Sequence, residues 1–322
     1  MMLLSVPCSR TIRTLKPSPR PLPEGEGENS PDSLMRIRGE FKGALRRAVA
    51  VVACVAAPFT ACAQFSYDVP YVPTPPVVVE EMLRLAEVGG DDFVIDLGSG
   101  DGRVVIAAVK KFGARGVGVD LDPERILESD YNASVAGVAD RVAFHRQDLF
   151  KFAISQATVV TMYLLPSVNM RLRPRLLSEL RPGTRIVSHD FDMEDWKPDA
   201  KSTVRKNVFL WVVPARVEGR WQINLALPHG ARSYELELKQ KFQEIDGLAR
   251  YDKKVAGLWN ARLTGERIQF TLVDDGGPLD SNLYFDGRVA GDVIEGVVLR
   301  GVGADQQKLP WRATRKPAEA AR

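Results

Sequence analysis

Cysteine and histidine are scarce in this chain. Its three cysteines all lie within the first 62 of 322 residues. The rest of the chain therefore has no disulfide, no thiolate metal site and no cysteine nucleophile. The three histidines, His145, His189 and His229, fall in separate segments without the spacing of metal ligands. These absences predict a protein that holds no metal.

A strong charge of one sign is also missing, because the net charge is only +3. The basic excess lies in the first 63 residues, which hold nine Lys or Arg against five Asp or Glu. The remainder is close to neutral and gives no electrostatic case for nucleic acid. We therefore expect no nucleic-acid partner.

A long apolar run is lacking as well. Residues 48–60 form an apolar stretch of 13 residues, shorter than the roughly 20 needed for a membrane-spanning helix. Basic residues precede it and Ala61-Cys62-Ala63 follow it, so residues 35–63 are typical of a signal peptide, with an uncleaved membrane anchor as the alternative. Either predicts an exported (periplasmic) or membrane-anchored protein rather than a cytoplasmic one, with any membrane association through residues 48–62. Residues 1–34 are rich in Pro, Gly and Glu, which indicates a disordered or over-extended N-terminus.

From residue 64 to residue 228, short apolar runs alternate with helical patterns, which predicts an α/β domain with a mostly parallel sheet. The predicted strands are 93–97, 116–120, 142–145, 158–163 and 185–188, with helices at 77–88, 102–112, 123–136 and 168–180. Two further strands, 204–213 and 220–227, are expected to pair as an antiparallel hairpin. The fold class is therefore a Rossmann-like, seven-stranded sheet with helices on both faces. Residues 229–316 alternate polar and apolar residues, which predicts a small antiparallel β domain of about six strands, followed by a tail at 317–322.

The strongest motif is VIDLGSGDGR, at residues 94–103. A buried strand containing Asp96 leads into Gly98, Ser99, Gly100 and Gly102, and a helix follows. Glycines let the backbone pass close to a ligand, and the free N–H groups of a helix N-terminus bind an anionic group. A dinucleotide-binding loop would have its third glycine at the sixth position, which is Arg103 here. The motif therefore predicts a cofactor loop of another type.

Two further acids follow the next two strands. Asp120 lies at the tip of the second strand, where a carboxylate can accept both hydroxyls of a ribose; Leu121 follows it. Asp148 comes after the third strand and is placed to accept from an adenine amino group, with Leu149 offering apolar contact to the ring. Together with Asp96, these residues indicate a site for a nucleoside cofactor.

These motifs resemble those of class I, seven-β-strand methyltransferases, which implies S-adenosyl-L-methionine as the cofactor. A closer resemblance is to the lysine methyltransferases of the mitochondrial inner membrane that modify the ATP synthase c-subunit and the adenine nucleotide translocase. It rests on Tyr71-Val-Pro-Thr74, DLGSGDGR, Tyr163-Leu-Leu-Pro-Ser-Val168 and the segment from Val187 to Trp196. It implies a protein lysine as the methyl acceptor.

In such enzymes the acceptor lies at the end of the fourth strand, so Tyr163 and Pro166 are expected to position it. Tyr163 has the alternative of a core aromatic at a strand end. His189-Asp190 is either a general base or a loop turn, and we favour the turn. Two other functions stay open: a methyltransferase for a small-molecule or lipid-linked acceptor, and a non-catalytic module that only binds the cofactor.

Overall fold

The alternation of apolar runs and helical patterns after Tyr71 appears in the computed structural model as an α/β sheet domain followed by a β-barrel. The structure describes residues 71–227, 230–273, 282–301 and 306–317. The predicted leader segments, His229 and all but the first residue of the predicted tail lie outside these ranges, so the leader and its membrane role stay predictions. Within the described ranges, no helix combines the length and the apolar character needed to cross a membrane.

The α/β domain consists of four helices and seven strands within residues 76–212. The helices are α1 (Pro76–Leu85), α2 (Arg103–Phe112), α3 (Pro123–Ala136) and α4 (Pro166–Glu179). The strands are β1 (Phe93–Leu97), β2 (Arg115–Asp120), β3 (Val142–Arg146), β4 (Val159–Met162), β5 (Arg185–His189), β6 (Ala200–Val204) and β7 (Lys206–Val212).

The seven strands form one sheet in the order β3-β2-β1-β4-β5-β7-β6. The first five strands run parallel, and β7 runs antiparallel to both β5 and β6. The strand order reverses between β1 and β4, so the connections leave β1 and β4 in opposite directions. In open α/β sheets a ligand cleft lies at the carboxyl ends of the strands at this point. The predicted fold class is confirmed.

The predicted hairpin between 204–213 and 220–227 is wrong. The antiparallel pair consists of β6 and β7, which meet at Arg205 in the left-handed region (φ 64°). No Gly, Asn or Pro marks that turn, so it was not recognisable as one. Residues 220–227 belong instead to the first barrel strand, whose side chains alternate between a buried and a more exposed face.

The helix starts follow local rules. Helix α3 begins where predicted, because the Asp122 carboxylate accepts the Glu124 backbone N–H at 2.8 Å and Pro123 occupies the first turn. Helix α4 begins at Pro166 rather than at the predicted Val168. Proline is well placed there because a first-turn residue needs no hydrogen-bonded N–H. The Tyr163–Leu165 segment is therefore a short connection between β4 and α4.

The β domain is a closed barrel of eight strands, rather than the predicted sheet or partial barrel of about six. Its strands are β8 (Gly219–Leu227), β9 (Gly230–Lys241), β10 (Glu244–Tyr251), β11 (Lys254–Thr264), β12 (Arg267–Leu272), β13 (Leu283–Ala290), β14 (Val293–Arg300) and β15 (Gln307–Arg315). Neighbouring strands are antiparallel, and β15 pairs back with β8 to close the barrel.

Apolar side chains fill the barrel interior. Phe270 and Phe285 stack with ring centroids 4.6 Å apart, and the Trp311 ring meets Phe285 edge-on at 5.0 Å. Trp221 and Tyr234 are also fully or almost fully buried. The interior is therefore a packed core rather than a ligand cavity.

Candidate functional site

The glycine loop after β1 has the backbone that its sequence requires. Gly98, Gly100 and Gly102 have φ angles of 80°, 52° and 78°, where other residues are strained. The N–H groups of Gly98 and Ser99 both donate to the Val119 carbonyl, at 2.8 and 3.0 Å. A Cβ on Gly100 would lie 2.5 Å from the Tyr71 ring. The loop is thus packed too closely for side chains at these positions.

Helix α2 starts directly behind this loop. Gly102 is its N-cap and provides no side-chain hydrogen bond to the first turn. The Asp101 carboxylate accepts the Arg103 N–H at 3.3 Å, so the glycine cap leaves the later N–H groups of the first turn for an anionic group. Gly102 itself packs against Phe144 and Ser129 rather than facing the cleft.

The three predicted acids line one cleft at the carboxyl ends of β1, β2 and β3. Eight of the nine predicted cofactor residues line it, Gly102 being the exception. These eight are Asp96, Gly98, Ser99, Gly100, Asp120, Leu121, Asp148 and Leu149.

Backbone hydrogen bonds hold two of the acids in place. The Asp120 carboxylate accepts the Gly100 N–H at 2.9 Å and the Asp122 N–H at 3.0 Å. The Asp148 carboxylate accepts the Phe150 N–H at 2.9 Å. Carboxylates fixed in this way keep further lone pairs for a ligand, at no cost of ordering the side chain on binding.

Asp96 and Ser99 are the buried polar groups of the cleft. Asp96 is 4% exposed and accepts a hydrogen bond from the Thr161 hydroxyl at 2.7 Å. Burial, with a smaller contribution from the charges of Asp120 and Asp101, raises the pKa of Asp96 to about 7. The Ser99 hydroxyl has no hydrogen-bond partner among the described residues. Both groups suit a ligand that brings a cation and polar atoms into the cleft.

Asp96→Asn is expected to make the protein more stable at pH 8 by up to about 4 kcal/mol, since one pKa unit corresponds to about 1.4 kcal/mol. The folded-state pKa is about 7 against 3.8 for the ordinary group. The carboxylate therefore lowers stability as the pH rises from about 4 to about 7, and the amide removes that penalty. Denaturant unfolding of both proteins from pH 4 to pH 8 measures the difference, which should shrink towards pH 4. An equal difference at every pH would contradict the assignment.

The YVPT segment, residues 71–74, lies against the glycine loop. The Tyr71 ring contacts Gly100 on one side, and the Arg125 guanidinium lies 4.7 Å from its centroid. Arg103 donates to the Thr74 carbonyl at 2.9 Å and to the Asp101 carboxylate at 2.8 Å. Burial alone would raise the pKa of Asp101, but the Arg103 guanidinium lowers it below its usual value. An ion pair therefore fixes this segment over the loop.

The sequence prediction did not assign a site role to Asp101, Arg103 or Thr74. Asp101 and Arg103 lie within the glycine motif, but nothing in it showed that they pair with each other and hold a segment 29 residues away. The one available signal was the likeness of residues 71–74 to the resembled family.

The acceptor side of the cleft begins where β4 ends. Tyr163 lines the cleft, and its ring lies 3.9 Å from the His189 ring and 6.2 Å from the Phe191 ring, between centroids. Leu164 packs over Gly98. Pro166 is exposed in the first turn of α4 and does not line the cleft. The structure thus brings Tyr163, but not Pro166, to the cofactor residues.

His189 belongs to a strand and Asp190 to a turn. His189 is the last residue of β5 and is buried, with its Nδ1 atom 3.2 Å from the Thr74 hydroxyl. Burial lowers the pKa of His189, the Asp190 charge opposes that shift, and the Lys206 charge adds to it. Asp190 has φ 66° and pairs with Lys206 at 2.9 Å. A buried imidazole with a lowered pKa therefore lies against the Tyr163 ring.

Within residues 71–227 and the described barrel ranges, no group of three or more His, Cys, Asp or Glu could hold a metal ion.

A Rossmann-like sheet, a glycine loop without the dinucleotide pattern and three acids in one cleft define an S-adenosylmethionine-dependent methyltransferase.

Residues 96–200 match the family model described as the ANTKMT methyltransferase domain. A protein-lysine N-methyltransferase of Saccharolobus islandicus (strain REY15A) is 46% identical over 151 residues, covering 45% of this chain and 94% of that protein. The chain belongs to this methyltransferase family.

Two mammalian relatives and one solved structure are also similar to part of the chain. The ATP synthase c-subunit lysine N-methyltransferase of Homo sapiens is 36% identical over 151 residues, 47% of this chain and 64% of that protein. The adenine nucleotide translocase lysine N-methyltransferase of Mus musculus is 37% identical over 133 residues, 41% of this chain and 58% of that protein. The chain thus spans less than two thirds of these two relatives. A solved structure described as an RNA methyltransferase from Salinibacter ruber in complex with S-adenosyl-L-homocysteine is 53% identical, covers 45% of this chain and 96% of its own, and has a TM-score of 0.45.

Proposed function

We propose that this protein transfers a methyl group to the side-chain amine of a lysine in another protein, with the acceptor entering the cleft at the carboxyl end of β4. The observation that carries the proposal is the single cleft that joins the three-acid cofactor side to Tyr163. The Saccharolobus islandicus relative is named for the same acceptor class, and this chain covers 94% of its length.

The residues of the cleft fit S-adenosylmethionine. In our assignment, Asp120 accepts the two ribose hydroxyls, and Asp148 accepts from the adenine amino group beside Leu149. The later N–H groups in the first turn of α2 face the carboxylate, and the buried Asp96 complements the cationic part of the molecule. The close packing of Tyr71 on Gly100 supports this assignment, because it leaves the loop backbone, not side chains, next to the ligand.

When bound, the cofactor supplies a methyl group carried on a positively charged sulfur. The acceptor amine would have to arrive neutral, because its lone pair would form the new N–C bond as the C–S bond gave up its electron pair to sulfur. The proton of the methylated amine passes to water. The apolar surroundings given by Tyr163 and Leu164 lower the pKa of an incoming amine, and the wall of the cleft aligns it.

The acidic residues in the loop after β5 favour an acceptor protein with a basic surface. The loop after β5, residues 190–199, contains five acids, Asp190, Asp192, Glu194, Asp195 and Asp199, and one base, Lys197. Asp190 pairs with Lys206, and Asp195 with Arg173 and Lys241. Asp192 and Glu194 are exposed next to Phe191. They would attract a lysine-bearing segment of a partner protein.

The test is incubation of the purified protein with methyl-labelled S-adenosylmethionine and an extract of its host. We expect the label in protein, and in methyl-lysine after complete hydrolysis. Nuclease treatment and solvent extraction should leave the label unchanged. Label that nuclease releases would indicate an RNA acceptor, and label in the solvent phase a small-molecule or lipid-linked acceptor. Either result, or methylation of another residue type, would contradict the proposal.

A further inference from the structure

The turn between barrel strands β9 and β10 contacts the loop that borders the acceptor side. We name residues 190–199 the acceptor loop and residues 241–244 the barrel hairpin. The Phe242 ring stacks on Trp196 with centroids 5.7 Å apart. The Gln243 side chain accepts the Trp196 indole N–H at 2.9 Å and donates to the Lys197 carbonyl at 2.6 Å.

Charged groups surround this contact. Lys241 pairs with Asp195 at 3.2 Å, and Lys197 pairs with Glu244 at 2.8 Å. The Arg173 guanidinium of α4 lies 5.3 Å from the Phe242 ring centroid. Exposed ion pairs of this kind contribute little to stability, but they define which residues of the hairpin face which residues of the loop. The barrel hairpin is therefore held against the acceptor loop in one specific arrangement.

The acceptor loop connects the barrel hairpin to the cleft. At its barrel end, Trp196 is fully buried, and its carbonyl accepts the Trp211 indole N–H at 2.8 Å. At its other end, the Phe191 carbonyl accepts the Ser188 hydroxyl at 2.6 Å, and the Phe191 ring stacks with Tyr163. Only four residues separate Phe191 from Trp196 in sequence, so the position of one constrains the other.

We propose that the barrel hairpin is a positioning element for the methyl acceptor, with Phe242 and Gln243 holding the acceptor loop so that Phe191 stays against Tyr163. The inference rests on the proposed function, because it assigns the acceptor to the Tyr163 side. The barrel would then contribute to the reaction through its surface, because its interior is a packed core rather than a ligand cavity. The family model ends at residue 200, before the first barrel strand, so this role would be an addition to the methyltransferase domain.

Gln243→Leu tests the proposal, because it leaves the buried Trp196 N–H without its acceptor. With host extract as the acceptor probe, we expect the apparent KM for extract protein to rise about tenfold, as for an unpaired buried donor. Affinity for S-adenosylmethionine, measured by calorimetry, should stay within about twofold, since the cofactor side is untouched. Hydrogen exchange of residues 190–199 should become faster.

The matched control is Gln222→Leu, whose side chain bonds only Ile223, Ser233 and Tyr234 among the described residues. It should change neither the KM nor the exchange of the acceptor loop. Gln243→Glu keeps an oxygen for the Trp196 N–H, so its KM should return part of the way to the parental value. This variant also tests the proposal if the leucine variant fails to fold.

Three outcomes separate the two hypotheses. If the parent enzyme labels no protein, the proposed function fails, and hydrogen exchange alone then decides whether the hairpin holds the loop. A parent enzyme that labels protein, with a folded Gln243→Leu variant of unchanged KM, overturns the positioning role. A KM that rises equally in the Gln222 control overturns it too.

Discussion

Asp120→Ala is expected to weaken S-adenosylmethionine binding by at least about 100-fold, because a hydrogen bond to a charged acceptor contributes about 1.5–3 kcal/mol and two ribose hydroxyls lose theirs. The substitution also removes the acceptor of the Gly100 and Asp122 N–H groups, so the glycine loop loses a support at the same time. Calorimetric titration of the apoprotein with the cofactor measures the loss.

The control for this variant is Asp130→Ala, which removes an exposed carboxylate from α3 and does not touch the cleft. Its cofactor affinity should match that of the parent protein. Thermal unfolding of both variants shows whether the fold is intact. A folded Asp120→Ala protein with parental affinity would mean that Asp120 only shapes the loop.

Tyr163→Ala is expected to lower the rate of methyl transfer by about 100-fold or more, the cost of misplacing a reacting group by about 1 Å. The Tyr163 ring lies between the cleft and the rings of His189 and Phe191. Its loss opens the acceptor side while the three acids keep their contacts. Transfer of label to host protein and calorimetric cofactor binding, measured on the same preparation, separate the two effects.

Tyr163→Phe distinguishes the ring from the hydroxyl group. If the ring alone aligns the acceptor, the phenylalanine variant keeps most of its transfer rate; if the hydroxyl group orients the amine, the rate falls as in the alanine variant. Tyr131→Ala is the matched control, because Tyr131 is 70% exposed on α3. Since removal of a packed aromatic costs about 3–5 kcal/mol, each variant needs a melting curve. If a folded Tyr163→Ala protein shows normal turnover, Tyr163 has only a structural role.

The cofactor side could be predicted from sequence because its determinants are local. The glycine loop, Asp120 and Asp148 each follow a short apolar run, and a parallel sheet brings the carboxyl ends of its strands to one edge. The residues that were not predicted depend on contacts between distant parts of the chain. Arg103 bonds the carbonyl of Thr74, and the His189 ring lies under Tyr163. No periodicity in the sequence encodes these pairs.

The same reasoning explains the errors in the β region. Alternation of polar and apolar residues identifies a strand but not its partner. Residues 220–227 have the alternation expected of either an edge of the α/β sheet or a barrel strand. Their pairing with β9 and β15 decided between the two. The turn at Arg205 was missed because a left-handed arginine has no sequence signature.

Barrel closure by β8 and β15 also orders the assembly of the chain during its synthesis. Trp221 pairs with Arg315, so β8 leaves the ribosome long before its last partner exists. The α/β sheet, complete by Val212, can form while the barrel still exposes two unpaired backbone edges. Non-local pairing of this kind closes slowly. We therefore expect a nascent chain that has not yet released β15 to combine a formed cofactor cleft with an open β-sheet, whose unpaired edges favour aggregation.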